Sequence, residues 1–431
     1  MGGAQPGSPD RWTLTGRPAR SHLARLAAAR SGAAARVGAV RVGAVRVGAV
    51  RVGAILVTLV AATILGQVPA GAATRVATAP AAAHQAALDA VSCAQTTLCI
   101  AVGTRAVTGG SAPLAEKWNG SAWTDLVIPA PHATDASLAS VSCPTSTDCT
   151  AVGEYAQSQS KSGPLAEQWN GHRWRITQDS DPAGVVQGNL AGVSCASVRD
   201  CVAVGTRMTT DADLALSERW NGHRWQVLKD ARVHGSALFA GVHCTGSFCM
   251  AVGEMSNSAS TGLVVMAQKL AGSTWTALKV PAPAGANLSA LYGVWCTTSS
   301  FCLSGGQQQG RTNGAVAYAW TGGSSWTRQS LSAANEILFG ISCGGTASCM
   351  AVGSGLTRPV SQFWDGTAWT PVPTAPLSRA PFAALVGVSC PAATVCIAVG
   401  SRTNGSPADI GTALAQEWNG SGWHLLTAVT P

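Results

Sequence analysis

Fourteen cysteines fall into seven pairs: Cys93/Cys99, Cys143/Cys149, Cys195/Cys201, Cys244/Cys249, Cys296/Cys302, Cys343/Cys349 and Cys390/Cys396. Five residues separate the members of each pair, except Cys244 and Cys249, where four do. Thiols so spaced have three chemistries open to them: disulfide formation, zinc ligation and nucleophilic attack. Zinc knuckles favour two to four intervening residues and need four ligands, so two pairs would have to meet. Two strands joined by a short turn instead hold opposed α-carbons about 4.5–5.5 Å apart, within disulfide reach. An even count with none left over, behind an export-type leader, favours seven disulfides. Each would close a small loop worth about 2 kcal/mol. That reading leaves no free thiol as nucleophile and no cysteine to hold a cofactor, so neither a cofactor nor a metal is expected.

Chemistry would then rest on residues that break the repeat around the cysteines. Two residues past the Ala-Val-Gly that follows the second cysteine stand Arg105, Tyr155, Arg207, Met255, Gln308, Gly355 and Arg402. A strand end that varies this freely is expected to face solvent. In a closed ring Arg402, Arg105, Tyr155 and Arg207 would be contiguous. Three guanidiniums offer planar forks of donors to a carboxylate or sulfate. The alternative is a set of solvated arginines at loop bases. Just before the first cysteine, five copies place serine (Ser92, Ser142, Ser194, Ser342, Ser389), whereas copies four and five place His243 and Trp295. That pair is read either as a pocket lining or as two bulky side chains filling space against each other. Glu154 and Glu254 are further pattern-breaking acids. A glycosidase needs two carboxylates about 5–10 Å apart, but copies two and four are not adjacent, and no catalytic residue is assigned. None of the eight histidines forms a paired metal motif.

The elements that must position these residues are strands. The first cysteines recur at spacings of 50, 52, 49, 52, 47 and 47 residues. In the first copy, 88–93, 99–105, 114–118 and a segment from 122 read as four short strands, with alternation clear in Leu114-Ala115-Glu116-Lys117-Trp118. Asn119-Gly120 follows, the preferred pair for a two-residue type I′ hairpin turn. Asn170-Gly171, Asn221-Gly222, Asp365-Gly366 and Asn419-Gly420 repeat it. Four strands in about 50 residues, repeated without helical periodicity, predict an all-β, seven-bladed β-propeller with one disulfide inside each blade. Paired tryptophans (Trp118/Trp123, Trp169/Trp174, Trp220/Trp225, Trp320/Trp326, Trp364/Trp369, Trp418/Trp423) would pack the blades, with Trp275 alone in copy four. The other fold considered is an open β-solenoid. Two before the first tryptophan stand Glu116, Glu167, Glu218, Gln268, Tyr318, Gln362 and Gln416, a register suited to a buried hydrogen bond.

Residues 1–72 carry nine arginines and one acid, which accounts for the whole formal charge of +8. Within them Arg-Val-Gly-Ala-Val recurs from Arg36, then an apolar run over 52–65 leads to the small residues Ala70-Gly71-Ala72-Ala73. This is the order of an export signal, with cleavage expected after Ala72. The run is shorter than the roughly 20 residues of a membrane span, so the mature chain is expected to be secreted or extracytoplasmic without a stable span. Residues 73–87 read as a linker and 88–431 as the propeller. Residues 73–431 hold nineteen basic and nineteen acidic side chains. A neutral body with no basic cluster makes nucleic acid an unexpected partner. A glycan or a protein is the expected ligand of a monomer.

The unit Val-Ser-Cys…Cys-x-Ala-Val-Gly…Leu-Ala-Glu-x-Trp-Asn-Gly-x-x-Trp, over residues 88–426, resembles the repeat of secreted bacterial disulfide-containing propeller proteins, mostly uncharacterised and loosely grouped with kelch and BNR/Asp-box propellers. The resemblance implies a propeller and export, with no agreed activity. The rigid scaffold, its one variable surface register and the lack of a catalytic constellation lead instead to a binding module for a glycan or protein, with a carbohydrate-active enzyme (a sialidase-like hydrolase, or a lyase) and a structural envelope protein as alternatives. The sialidase Asp-box, Ser-x-Asp-x-Gly-x-Thr-Trp, is only approximated by Trp118-Asn119-Gly120-Ser121-Ala122-Trp123. The tyrosine–cysteine crosslink of kelch-type copper oxidases has no free cysteine here.

Overall fold

A computed structural model describes residues 85–158, 161–178, 187–209, 212–229, 233, 235–257, 261–378, 382–404 and 409–427. The expected leader, its pentapeptide array and the cleavage site lie outside the described residues. Those residues form twenty-eight strands, which fall into seven consecutive groups of four. In unit one, β1 (Ala86–Gln95) pairs antiparallel with β2 (Leu98–Val107), β2 with β3 (Gly110–Trp118), and β3 with the short β4 (Trp123–Asp125). β1 starts two residues before the predicted strand. The other units repeat this antiparallel order, and a single parallel bridge joins units one and two (Ser111 to Asp135) and units four and five (Leu263 to Leu288). No helix among the described residues is long and apolar enough to cross a membrane.

Both faces of each small sheet are buried, which is why alternation in the third strands coexists with an apolar core. Successive strand residues point to opposite faces. Leu114 and Trp118 of β3 pack with Ile397, Val399 and Ala415 of unit seven. Ala115, between them, packs with Leu138, Leu165 and Trp169 of unit two. The tryptophan pairs sit across the last hairpin of their own unit, with ring centroids 5.4 Å apart at Trp118/Trp123 and 6.0 Å at Trp418/Trp423. The result is an all-β, repeated-blade, propeller-like fold. Its first and last units touch directly: Cys93 N donates to Ser389 Oγ at 3.0 Å, and Ala86 N to Gly411 O at 2.9 Å.

All fourteen cysteines form disulfides, each between the first and second strands of one unit. Their α-carbons lie 3.9–4.0 Å apart, closer than the hairpin spacing predicts. The seven pairs fit an oxidising compartment.

The bridges are part of the core, as the reading of the cysteine pairs as structural staples expects. The second member of every pair, Cys99, Cys149, Cys201, Cys249, Cys302, Cys349 and Cys396, is only 0–4 % exposed. Cys296, Cys343 and Cys390 among the first members are buried too. The cause is the tryptophan register of the third strand. Cys99 lies opposite Trp118, Cys149 opposite Trp169, Cys201 opposite Trp220, Cys302 opposite Trp320, Cys349 opposite Trp364 and Cys396 opposite Trp418. Cys249 meets Leu270 in the same place. Each of these sulfurs is thus sealed under a large apolar side chain, inside a cluster shared with a neighbouring unit. None can line a surface open to a ligand.

The tryptophan hairpin departs from the expected turn. Trp118 pairs directly with Trp123, so four residues form the loop. Gly120 has a φ of 94°, but Asn335 is the one non-glycine residue with positive φ among those described, so Asn119 does not adopt the type I′ conformation. Asn119 acts through its side chain instead. Its Oδ1 accepts from Ser121 N at 2.9 Å and Ala122 N at 2.8 Å, an Asx turn. The carbonyl oxygen of the asparagine, and not its backbone tolerance, shapes the loop.

Every first strand carries a β-bulge four residues before its cysteine, skipping Asp89 in unit one and Tyr292 in unit five. The bulge explains the glycine of Ala-Val-Gly: a Cβ on Gly103 would lie 2.0 Å from the Ala87 carbonyl oxygen of β1. The next residue along the first strand is small for a second reason. A Cβ on Gly387 of unit seven would lie 2.8 Å from Ala90 Cα of unit one, because neighbouring first strands run in backbone contact.

Candidate functional site

Strand direction divides the residues singled out from sequence between two ends of the molecule. Each first strand runs toward its disulfide and each second strand returns. Arg105 is therefore paired with Ala86, Tyr155 with Ala136, Arg207 with Gly188, and Arg402 with Ala383, all at the start of first strands. His243 and Trp295 lie at the other end, beside the disulfides. Six strand residues separate the two levels in unit one, about 20 Å at the usual rise.

At the start-of-strand rim, Arg105 Nη1 lies 3.4 Å from Asp125 Oδ2. Asp125 belongs to β4, the outermost strand of unit one, so this guanidinium reaches outward. Arg207 and Arg402 keep buried Nε atoms that donate to no acceptor. Tyr155 is 5 % exposed and belongs to the apolar cluster between units one and two. Gln308 is 8 % exposed, donates to Thr312 Oγ1 at 2.6 Å and accepts from Arg328 Nη2 at 2.8 Å. The expectation of a uniformly solvent-facing register therefore fails at Tyr155, which packs against unit one, and at Gln308, which is bonded within its own unit.

One residue closer to the disulfide stand two carboxyls, Glu154 and Glu254, each 6 % exposed. Burial, with a smaller contribution from the Asp135 charge, pushes Glu154 up to about 8. Burial alone pushes Glu254 up to about 7. Desolvation disfavours the charged form, so both carry a substantial protonated fraction near neutrality.

The bulges supply residues that sequence reasoning missed. Asp89, Ala139, Ala191, Ala240, Tyr292, Phe339 and Val386 are the skipped positions, on the free edges of the first strands. Tyr292 and Phe339, from adjacent units, meet with ring centroids 5.6 Å apart. Gln307 Nε2 donates to the Tyr292 hydroxyl, and burial beside Glu254 raises that phenol well above its ordinary value. Burial also pushes Asp89 up to about 8. A signal was present: between a large apolar residue (leucine, or Phe239 in unit four) and a small one, this register runs from alanine to aspartate and tyrosine.

The disulfide end shows why serine recurs before the cysteine. Ser92 Oγ accepts from Cys143 N of the next unit at 3.0 Å, Ser142 from Cys195 N at 3.0 Å, and Ser194 from Cys244 N at 2.9 Å. Ser342 accepts from Cys390 N at 3.0 Å, and Ser389 closes the series on Cys93 N, also at 3.0 Å. His243 takes the serine's place in unit four, its Nδ1 accepting from Cys296 N at 3.2 Å. Its ring stacks on Trp295, centroids 4.0 Å apart. Trp295 has a donor and no acceptor, so the junction from unit five to unit six lacks this bond. The two departures from serine are thus one packed pair.

The fold defines a class, a disulfide-stapled, all-β protein of propeller-like blades. No family model and no curated protein matches the chain. Among solved structures it is similar to YCF48 from Cyanidioschyzon merolae, at 12% identity and a TM-score of 0.49 over 79% of this chain and 97% of that one. It is also similar to YCF48 bound to D1 peptide, at 12% identity and a TM-score of 0.47 over 74% and 91% of the two chains. Chaetomium thermophilum Sqt1 bound to the N-terminus of ribosomal protein L10 matches at 11% identity and 0.46 over 80% and 87%. Likenesses so distant assign this chain no ligand.

Proposed function

We propose that the chain is an exported, closed seven-bladed propeller, four strands and one disulfide per blade, that serves as a rigid binding module for a glycan or protein. The observation that carries this reading is the contrast between registers at one rim. Gly103 and its equivalents are fixed by close backbone approach, yet two residues later the chain places Arg105, Tyr155, Arg207, Met255, Gln308, Gly355 and Arg402. A constant backbone presenting variable side chains is how a repeat scaffold diversifies recognition. Arg207 and Arg402, with Nε donors still unspent, are the groups best placed to take an acidic ligand. Arg105 would have to leave Asp125, and Tyr155 would contribute its edge. The contacts between the first and last units support a closed ring over an open solenoid.

Glu154 and Glu254 give a second reading, a carbohydrate-active enzyme, one specific support. Buried carboxyls raised to about 8 and about 7 have the protonation a general acid needs.

A glycan array, read for both retention and product release, tests the two together. Retention of acidic glycans that an Arg105→Ala/Arg402→Ala double variant loses at least tenfold places recognition at the rim. Product release abolished by Glu254→Gln marks the enzyme. An array with neither signal removes the carbohydrate readings and leaves protein ligands.

A further inference from the structure

The third strand of each unit carries one fully buried polar residue two before its tryptophan (before Leu270 in unit four), and two units show what it does. The Tyr318 hydroxyl donates to the Pro281 carbonyl at 2.8 Å. Gln416 Nε2 donates to the Ala375 carbonyl at 3.5 Å while its Oε1 accepts from Ala375 N at 2.9 Å. Pro281 and Ala375 each lie six residues past the last tryptophan of the preceding unit, Trp275 and Trp369. In these two units the register is a strap: a side chain donates to the segment leaving the unit before it, whereas in unit three Glu218 accepts from Gln178 Nε2 of that segment at 3.2 Å.

In unit two this residue is Glu167, and six past Trp123 stands Pro129. The local match to unit five is close, Ile128-Pro129-Ala130-Pro131 against Val280-Pro281-Ala282-Pro283. Ile128 packs in the same cluster as Leu165 and Trp169, the two residues that share a strand face with Glu167, which brings the segment alongside. Proline has no N–H, so at this point the segment offers an acceptor and no donor. Both Glu167 oxygens are buried and accept no hydrogen bond. An ionised carboxylate, an acceptor alone, would meet a carbonyl oxygen. A neutral carboxylic acid has the O–H that Tyr318 uses in the same place.

We propose that Glu167 is held as a neutral carboxylic acid whose O–H donates to the Pro129 carbonyl, forming a proton-dependent latch between units one and two.

Burial pushes this carboxyl from the ordinary 4.5 up to about 8. No charged side chain among the described residues adds to the effect of burial on this carboxyl. A carboxyl whose folded value exceeds its unfolded one binds its proton more tightly in the native state. The latch therefore contributes fully below about 4.5 and is lost as pH rises through about 8.

Thermal unfolding of the full chain between about pH 5 and pH 9, for wild type and Glu167→Gln, tests this. Glutamine donates without a titrating proton and already occupies the register in units four, six and seven. The variant is expected to match wild type at the acid end and to unfold about 2–4 °C higher at the alkaline end. Infrared difference spectra of wild type minus variant should carry a protonated-carboxyl band near neutrality that disappears at the alkaline end. A Pro129→Ala variant, which restores an N–H for an ionised Glu167, should shrink the alkaline loss and gives an independent readout. Identical pH profiles for wild type and both variants, with no carboxyl band in the difference spectrum, would overturn the latch.

Discussion

His243 occupies a position that five other units give to serine, and the bond it makes accounts for the exchange. What the site needs is an acceptor for the N–H of the next unit's first cysteine, and neutral imidazole supplies one through Nδ1. Because Nδ1 accepts, the ring proton resides on Nε2, and protonating the ring would abolish the bond. Burial lowers this imidazole from 6.5 to about 4. Its folded value lies below its unfolded one, so its contribution is complete above about 6.5 and is lost as pH falls through about 4. His243→Ala leaves a buried N–H unmatched and is expected to cost about 1–3 kcal/mol. His243→Ser keeps an acceptor, costs less, and removes the loss of stability on acidification. Denaturant titrations near pH 7 and pH 4 separate the two variants. Equal losses at both pH values would assign the histidine to packing on Trp295 alone.

At the scale of strands and turns, what the sequence reveals depends on whether a feature is local in the chain. Cysteine pairs span one hairpin and tryptophan pairs span another, so spacing alone indicates both partners. That Cys99 faces Trp118 is already less legible, because it depends on the register of the hairpin between them. The bulges that place Asp89, Tyr292 and Phe339 are not local in this sense. They arise where a first strand rides over the glycine of its neighbour, and only the variability of the skipped position across the copies, not a residue type, marks it. Arg105 likewise meets Asp125 only because two intervening hairpins bring β2 and β4 into one sheet, where the guanidinium reaches across β3. Tyr155, read as a rim residue, is covered by a neighbouring blade whose position the repeat spacing does not convey. The disulfides permit an element-scale measurement. Cys244 and Cys249 close the shortest loop, with a sequence separation of 5. Replacing both with serine should cost about 2 kcal/mol by the chain-entropy estimate. A loss well above that, seen in urea unfolding, would mean that the bridge also holds the His243–Trp295 junction next to it.

For the molecule as a whole, the decisive junction is the one between its ends. Ser92, Ser142, Ser194 and Ser342 each bond a unit to the one that follows it in sequence, whereas Ser389 bonds unit seven back to unit one. In an open array the terminal units have one neighbour each, and a mutation at an end perturbs only local fraying. In a closed ring no junction is terminal, and the chemistry of Ser389 is that of Ser92. Removing either hydroxyl deprives one backbone N–H of its partner, a loss of about 1 kcal/mol or somewhat more. The ring therefore requires Ser389→Ala and Ser92→Ala to lower the midpoint of a single cooperative transition by similar amounts. It also requires amide exchange at Cys93 to be protected as strongly as at Cys143, because both amides sit in the same kind of junction. A Ser389→Ala variant as stable as wild type, with a rapidly exchanging Cys93 amide, would open the ring and make units one and seven its free ends.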